Sequence, residues 1–231
     1  MRPTVLLFDI DGTLLSSSGA GRRAMEAALR DHTGREDLCR FGFDGMTDRA
    51  IVRMALAAAG HDAPALAHLD AVLDTYVARL RDELAVPGDY HVYPGITAAL
   101  EAARTRASVA LGLGTGNIRR GAALKLGRVG IDHYFAFGGF GCDHEERPAI
   151  LRTGAERGAA LLGRDVASCR VVVVGDTPRD VAAARAIGAE CVGVGTGRFG
   201  PDELIAAGAH AAFADLAAAG AVDAVLGASR D

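Results

Sequence analysis

No apolar run in this 231-residue chain approaches the roughly 20 residues that a bilayer-crossing helix requires. The short apolar stretch near the N-terminus, Thr4 to Phe8, is broken by Asp9 and Asp11, and no small-residue cleavage site follows it. It reads as a strand and not as a signal peptide, and the expected location is the cytoplasm. Positive charge is scarce as well: 25 Lys and Arg stand against 29 Asp and Glu, a net charge of −4. That balance gives no electrostatic reason to expect a nucleic acid or an anionic membrane as partner. A small phosphorylated metabolite, which needs only a local basic site, remains possible. The four cysteines, Cys39, Cys142, Cys169 and Cys191, form no CxxC pair, which argues for reduced core thiols and against a zinc knot or disulfide framework. The seven histidines show no HxH or HExxH spacing, so histidine-held metal is not indicated. Lysine occurs once, as Lys125.

What is present is the composition of a globular enzyme-sized protein, with 50% hydrophobic and 23% charged residues. The length suits an α/β core with a smaller accessory unit. Three aliphatic runs, Thr4 to Phe8, Ser108 to Leu113 and Arg170 to Val174, each lead into a turn bearing glycine or aspartate; continuous apolar runs suit parallel strands covered on both faces. Alanine-rich helical patterns follow the last two, over Ile118 to Leu126 and Arg179 to Ile187. Weaker strands are expected at Ala136 to Gly138, Cys191 to Val194 and Ala211 to Phe213. The interval between the first and second strands is too long for one crossover. It reads as helical throughout, with helices predicted near Ala20 to Asp31, Asp48 to Ala59 and Ala65 to Leu84 and stops at Gly34, Gly60 and Pro87-Gly88. The expected architecture is a three-layer Rossmann-like α/β core with a parallel sheet, residues 1–15 and 89–231, carrying an inserted helical unit at 16–88.

The chemistry concentrates where the strands end. In Asp9-Ile10-Asp11-Gly12-Thr13 the two carboxylates are two apart on an extended chain, so both can face the carboxyl edge of the sheet, where open α/β folds place ligands. Two carboxylates at one mouth repel unless a cation lies between them, and Mg²⁺ favours such oxygen ligands with substrate phosphate and water completing its shell. After the third main strand, Gly175-Asp176-Thr177-Pro178-Arg179-Asp180 brings Asp176 and Asp180 towards the same mouth, with Pro178 opening a helix. After the second, Gly114-Thr115-Gly116-Asn117 offers a hydroxyl and free amides that can hold phosphate oxygens at a helix N-terminus.

In this order DIDGTLL, LGTGN and VVVVGDTPRDV resemble motifs one, two and four of haloacid dehalogenase-type phosphatases, and the helical insertion is similar to that superfamily's type-1 cap, as in phosphoglycolate phosphatase-like members. The resemblance implies a Mg²⁺-dependent phosphatase. Asp9 resembles the nucleophile that becomes phosphorylated, and Asp11 the general acid and later base. Asp9, the main-chain carbonyl of Asp11, and Asp176 would hold Mg²⁺, with Asp180 as a supporting carboxylate. Gly12, Thr115, Gly116 and Asn117 would surround the transferring phosphoryl oxygens.

One motif departs from the pattern. The third is a lysine, commonly before proline, and this chain has Glu145-Glu146-Arg147-Pro148. Arginine binds phosphate through a fork of different reach, and Lys125, ten residues after Thr115, could supply the ammonium instead. Both stay candidates, with Arg147 preferred. Asp143-His144-Glu145-Glu146 reads as an acidic loop ahead of a helix near Ala149. Asp11 disfavours dehalogenation, and an insertion without lysine disfavours phosphonate hydrolysis through a Schiff base. A sugar-phosphate mutase of the same superfamily is the nearest alternative. From another class, Leu111-Gly112-Leu113-Gly114-Thr115-Gly116 also resembles the glycine-rich loop of methyltransferases or of a dinucleotide-binding protein, which leaves both aspartate motifs unexplained. In the insertion, Gly45-Met46-Thr47-Asp48-Arg49 resembles the substrate-loop region of phosphoglycolate phosphatase-like proteins, which implies that Arg49 meets a second anionic group of the substrate. Thr47 or Asp48 are alternatively helix caps; Arg22 and Arg23 are weaker candidates. A monomer and a homodimer are equally compatible with the sequence.

Overall fold

The computed structural model describes residues 2–227. Its centre is a six-stranded sheet: β1 (Thr4–Phe8), β4 (Val109–Gly114), β5 (Gly138–Gly139), β6 (Arg170–Gly175), β7 (Glu190–Val194) and β8 (Ala211–Phe213), in the order β5-β4-β1-β6-β7-β8. Every pairing is parallel. β1 is central, and all five of its residues are buried. Its side chains divide by the strand period of two. Leu6 and Phe8 enter the core on one face, with Ile96, Leu100, Leu126 and Val225. Val5 and Leu7 enter the other, with Leu151, Val173, Val181 and Leu204. The helices behind these contacts are α4 (Ile96–Arg104), α5 (Arg119–Arg128) and α9 (Ala221–Leu226) on the first face, and α6 (Arg147–Leu161), α7 (Pro178–Ala186) and α8 (Pro201–Ala206) on the second. Each fully buried Leu or Phe in such a layer contributes roughly 1.5–3 kcal/mol of transfer free energy, so the three-layer core follows from the sequence's apolar runs.

Phe8 lies opposite Leu113 on one side and Val174 on the other. The residues that follow the three strands therefore emerge together at one edge, and at β1 the connections diverge to opposite sides of the sheet, the arrangement that opens a crevice. Between β1 and β4 the chain forms α1 (Ala20–Thr33), α2 (Asp48–Ala58) and α3 (Leu66–Ala85). These helices share a hydrophobic core of their own, which includes Met25, Leu29, Val52, Leu56, Leu69, Val72, Tyr76 and Leu80. α1 stops at Gly34, in the left-handed region at φ 69°, as the sequence predicts. A two-stranded antiparallel ribbon, β2 (Leu15–Ser16) with β3 (His91–Val92), ties the two connections together.

The main predicted strands and helices sit within a residue or two of their expected positions. α4, α8, α9 and the β2–β3 ribbon were not read from the sequence. α8 and α9 have six residues each and the ribbon strands two, too few for periodicity to register. The strand predicted at Ala136 to Gly138 is shifted to Gly138–Gly139.

Candidate active site

Asp9 is the first residue beyond β1, held to the neighbouring strand by its amide, which donates to the Val174 carbonyl at 3.0 Å. The chain then folds tightly. The amides of Thr13, Leu14 and Leu15 all donate to the Ile10 carbonyl, at 3.3, 2.9 and 3.1 Å, with Gly12 at φ 80°, a conformation that glycine adopts without strain. The turn carries Thr13 to Asp176, where its hydroxyl donates to Oδ1 at 2.8 Å. A β-carbon on Gly12 would lie 2.3 Å from Asp176 Oδ2, so glycine is required by the approach as well as by the dihedral.

Arg147 opens α6 ahead of Pro148 and turns back into the site. Its guanidinium lies 2.6 Å from Asp9 Oδ2 and also pairs with Asp180 Oδ1. Asp180 is fully buried, and its Oδ2 accepts from the Thr177 amide at 3.0 Å and hydroxyl at 2.7 Å, closing a capping box at the start of α7. Asp180 Oδ2 is thus taken up by hydrogen bonds within the protein, and its Oδ1, with no hydrogen-bond partner among the described residues, faces the Arg147 guanidinium as an ion pair. Asp9, Asp176 and Asp180 bring ligand oxygens within 4.8 Å of one another. Burial pushes the Asp176 carboxyl up to about 8, with Asp180 and Asp9 adding to the rise. Asp9 is also raised, by burial and by Asp180, against the opposing pull of Arg147. Three buried carboxylates facing one guanidinium leave uncompensated negative charge, which fits a divalent cation with oxygen ligands. Asp9 and Asp176 have the oxygens to hold it.

Thr115, fully buried beyond β4, lies beside Asp9, and its side chain opposes the rise of that carboxyl. Asn117 is engaged on every side: Nδ2 donates to Asp11 Oδ2 and to Thr115 Oγ1, both at 2.9 Å, and Oδ1 accepts from Lys125 Nζ at 2.7 Å. The Asn117 side chain is therefore a brace for other groups, not a free donor for phosphate. Lys125 Nζ also lies 2.6 Å from Asp11 Oδ2, and Ser17 Oγ donates to Asp11 Oδ1 at 3.2 Å. Burial alone would raise the Asp11 carboxyl. Lys125, with hydrogen bonds from Lys125, Asn117 and Ser17, outweighs it and holds the group below its usual range. The two cations left open by the sequence thus go to different acids, Arg147 to Asp9 and Asp180, and Lys125 to Asp11.

Above these groups lies a cavity of about 560 Å³ between the helical insertion and the sheet edge, lined among others by Asp9, Asp11, Asp176, Arg22, Asp48 and Tyr76. Arg49 is not in it. Its guanidinium pairs with Asp70 at 3.0 Å in a separate crevice, because Arg49 and Asp48 lie side by side at the start of α2 and project differently. The expectation of Arg49 as an anion-binding residue is corrected on that ground. Arg22 does line the cavity, stacked 4.1 Å over the Phe43 ring and donating to the Cys39 and Phe41 carbonyls. Arg23 pairs instead with Glu83. The acidic loop is dispersed into ion pairs, Asp143 with Arg157 and Glu145 with Arg53. Of the glycines read alternatively as a methyltransferase or dinucleotide loop, Gly112 and Gly114 belong to β4, where a β-carbon on Gly112 would strike Phe137 and one on Gly114 would strike Leu151, each at 2.5 Å, and Gly116 lies just beyond the strand against Met46 and Thr47. The first two are packing positions in a strand. Thr13, Ser17 and Asp48 were missed as site residues. Only the DxDGT pattern itself could have pointed to Thr13.

The chain belongs to the haloacid dehalogenase-like hydrolases: the family's model matches residues 3–188. Its fold recurs in a candidate phosphoglycolate phosphatase from Lactobacillus delbrueckii subsp. bulgaricus, with 21% identity, 99% of this chain and 100% of that one covered, and a TM-score of 0.68. It recurs in CbbY from Rhodobacter sphaeroides, solved in complex with phosphate, at 20% identity, 94% and 96% coverage and a TM-score of 0.66. A candidate β-phosphoglucomutase from Thermotoga maritima is similar at 24% identity, 91% and 94% coverage and a TM-score of 0.56. No curated protein sequence matches the chain. No helix among the described residues is long and apolar enough to cross a membrane.

Proposed function

We propose that the chain is a Mg²⁺-dependent phosphatase that hydrolyses a small phosphate monoester, phosphoglycolate-like or a sugar phosphate, through a phosphorylated Asp9. The observation that carries this reading is the set of groups around Asp9: Arg147 at 2.6 Å, the Thr115 hydroxyl, and Asp176 within the same cluster. A carboxylate so placed can attack phosphorus in line while cationic and hydroxyl donors meet the equatorial oxygens, which is where most catalysis of phosphoryl transfer arises.

In the first step an Asp9 oxygen bonds to phosphorus, the ester oxygen leaves, and Asp11 gives that oxygen the proton it took from water in the preceding turnover. In the second, Asp11 takes a proton from water, the water oxygen bonds to phosphorus, and the Asp9–phosphorus bond breaks to release inorganic phosphate. Lys125, Asn117 and Ser17 hold Asp11 in place for both steps. Asp9, Asp176 and the main-chain carbonyl of Asp11 would hold Mg²⁺, which supplies charge neutralisation at the phosphoryl group. Asp180 orients Arg147. The helical unit, residues 16–88, serves as a cap that encloses the substrate's leaving group and excludes water. The names of the Lactobacillus and Rhodobacter proteins support phosphate chemistry on this fold; the Thermotoga protein supports a mutase as the second reading.

The test is turnover of an aryl phosphate with Mg²⁺, with EDTA and in Asp9→Asn, followed by a panel of phosphorylated metabolites. Mg²⁺-dependent phosphate release lost in Asp9→Asn is expected. Conversion of a sugar 1-phosphate to an isomer without phosphate release would favour the mutase instead.

A further inference from the structure

One buried acid lies outside the reacting set. Asp48, the first residue of α2, is 7% exposed, and it reaches across the junction between the insertion and the core. Helix α5 follows the Thr115 loop, and its N-terminal flanking residue, Ile118, contributes no capping side chain. Such a helix start leaves amides that need acceptors. The Ile118 amide donates to Asp48 Oδ2 at 2.8 Å. The Asp48 amide in turn donates to the Gly116 carbonyl at 2.9 Å. One residue of the insertion thus closes two hydrogen bonds on either side of Asn117.

The approach is close enough to dictate residue size. A β-carbon on Gly116 would lie 2.4 Å from the Met46 carbonyl oxygen and 2.9 Å from Thr47 Cα. The neighbouring residues continue the junction: Thr47 Oγ1 donates to the Glu145 carbonyl at 3.1 Å, and Arg147 reaches the Gly45 carbonyl at 3.4 Å. Burying a carboxylate here is costly, and its own carboxyl is pushed up to about 6, chiefly by burial, with Lys125 opposing and Asp11 and Asp9 adding to the rise. An ordinary helix cap on the surface would carry no such cost, and Thr47 already caps α2, accepting from the Ala50 amide at 3.2 Å. Asp48 is therefore not needed to start its own helix.

We propose that Asp48 is a positioning residue for the loop carrying Thr115, clasping Gly116 and Ile118 from the helical insertion so that this loop takes its reactive shape when the insertion is closed on the core. The part concerning reactivity rests on the phosphatase reading above; the clasp itself does not. A closed insertion would then complete the helix start as well as cover the cavity, coupling enclosure of the leaving group to the readiness of Thr115.

The experiment is amide hydrogen exchange on the full chain, comparing wild type, Asp48→Ala and Asp48→Asn, together with aryl phosphate kinetics at saturating Mg²⁺. Loss of a hydrogen bond worth about 1 kcal/mol or more predicts at least about fivefold faster exchange in residues 114–122 of Asp48→Ala. Asp48→Asn keeps an acceptor oxygen and should restore protection. The same pair should separate in kcat, with Asp48→Ala reduced roughly tenfold or more and KM changed less, since the loop orients the reaction more than it gathers substrate. Faster exchange confined to residues 44–58 would overturn the proposal, because it would make Asp48 a local feature of α2. Wild-type exchange over 114–122 in Asp48→Ala would overturn it as well. If wild type turns over no phosphate ester, the phosphatase reading fails while the exchange comparison still decides the clasp. Should Asp48→Ala not fold, Gly116→Ala forces the same junction apart from the core side, and unaltered exchange across both segments in that variant would equally count against the clasp.

Discussion

Arg147 sits between Asp9 and Asp180, 2.6 Å from the first and ion-paired with the second, and it is almost as buried as they are. Burial by itself would lower the guanidinium's affinity for its proton; Asp180 and Asp9 more than offset that and raise it. Removing one member of a buried charge group strands the others, at a typical cost of 3–5 kcal/mol. Arg147→Ala should therefore unfold at clearly lower denaturant concentration than wild type. Both carboxylates meet one nitrogen of the guanidinium, and Arg147→Lys keeps the charge but moves it to a compact ammonium of different reach. It should fold well and lose kcat, which denaturant titration and phosphatase kinetics on the same preparations would separate.

Lys125 serves a different acid. Its ammonium holds Asp11 Oδ2 at 2.6 Å and Asn117 Oδ1 at 2.7 Å from a nearly inaccessible position on α5. Lys125→Met leaves Asp11 without its cation and the Asn117 side chain free to turn. Because general acid–base catalysis contributes typically 10²–10⁴-fold, a drop in kcat of about tenfold to a hundredfold is expected from misplacing the group without removing it. Aryl phosphates with good leaving groups need less proton donation. They should suffer less than alkyl phosphates, and an equal loss on both would show that Lys125 acts elsewhere.

Asp48 makes stability depend on pH in a defined direction. Its carboxyl moves from 3.8 to about 6 on folding, mainly by burial. Below about pH 4 both states are protonated and nothing is lost. Between about 4 and 6 the unfolded chain ionises while the folded one keeps its proton, so stability falls as pH rises; above about 6 the loss is complete. The gap corresponds to about 3 kcal/mol at most. Asp48→Asn lacks this titration. The stability of the variant relative to wild type should grow from about pH 4 to about pH 6 and then level off, as followed by urea unfolding at fixed ionic strength. A constant difference across that window would mean that Asp48 is not buried in solution as it is here.

The residues that sequence alone made legible are those whose role depends on position along one strand. Asp9, Asp11 and Asp176 follow aliphatic runs, and a parallel sheet must deliver such strand ends to one edge. The division of labour between Arg147 and Lys125 was not legible in this way, since either could reach the mouth and only tertiary placement decides which carboxylate each meets. Asp48 shows the same limit more sharply. In sequence it is an ordinary helix start, and its partner Ile118 lies 70 positions away. Arg49, one residue further on, looked like the binding residue because charge is visible in a sequence and direction around a helix start is not.

The cluster of Asp9, Asp176 and Asp180 yields the prediction that bears most directly on the cofactor. Burial, with Asp180 and Asp9 adding to it, holds Asp176 up to about 8, so keeping this group as a carboxylate costs the folded chain stability. Asp176→Asn removes one of the crowded carboxylates, so the metal-free variant should melt at a higher temperature than metal-free wild type. On the proposed function Mg²⁺ would bind the folded state, and at a hundred times its dissociation constant it should add about 2.7 kcal/mol to wild type. The variant lacks one of the proposed ligands, so its gain should be much smaller. The order of melting temperatures is thus expected to reverse on adding Mg²⁺, with the variant ahead in EDTA and wild type ahead in the metal. Thermal scans in the two buffers measure this without any substrate. Equal Mg²⁺ stabilisation of both proteins would remove Asp176 from the metal site whatever the activity assays report.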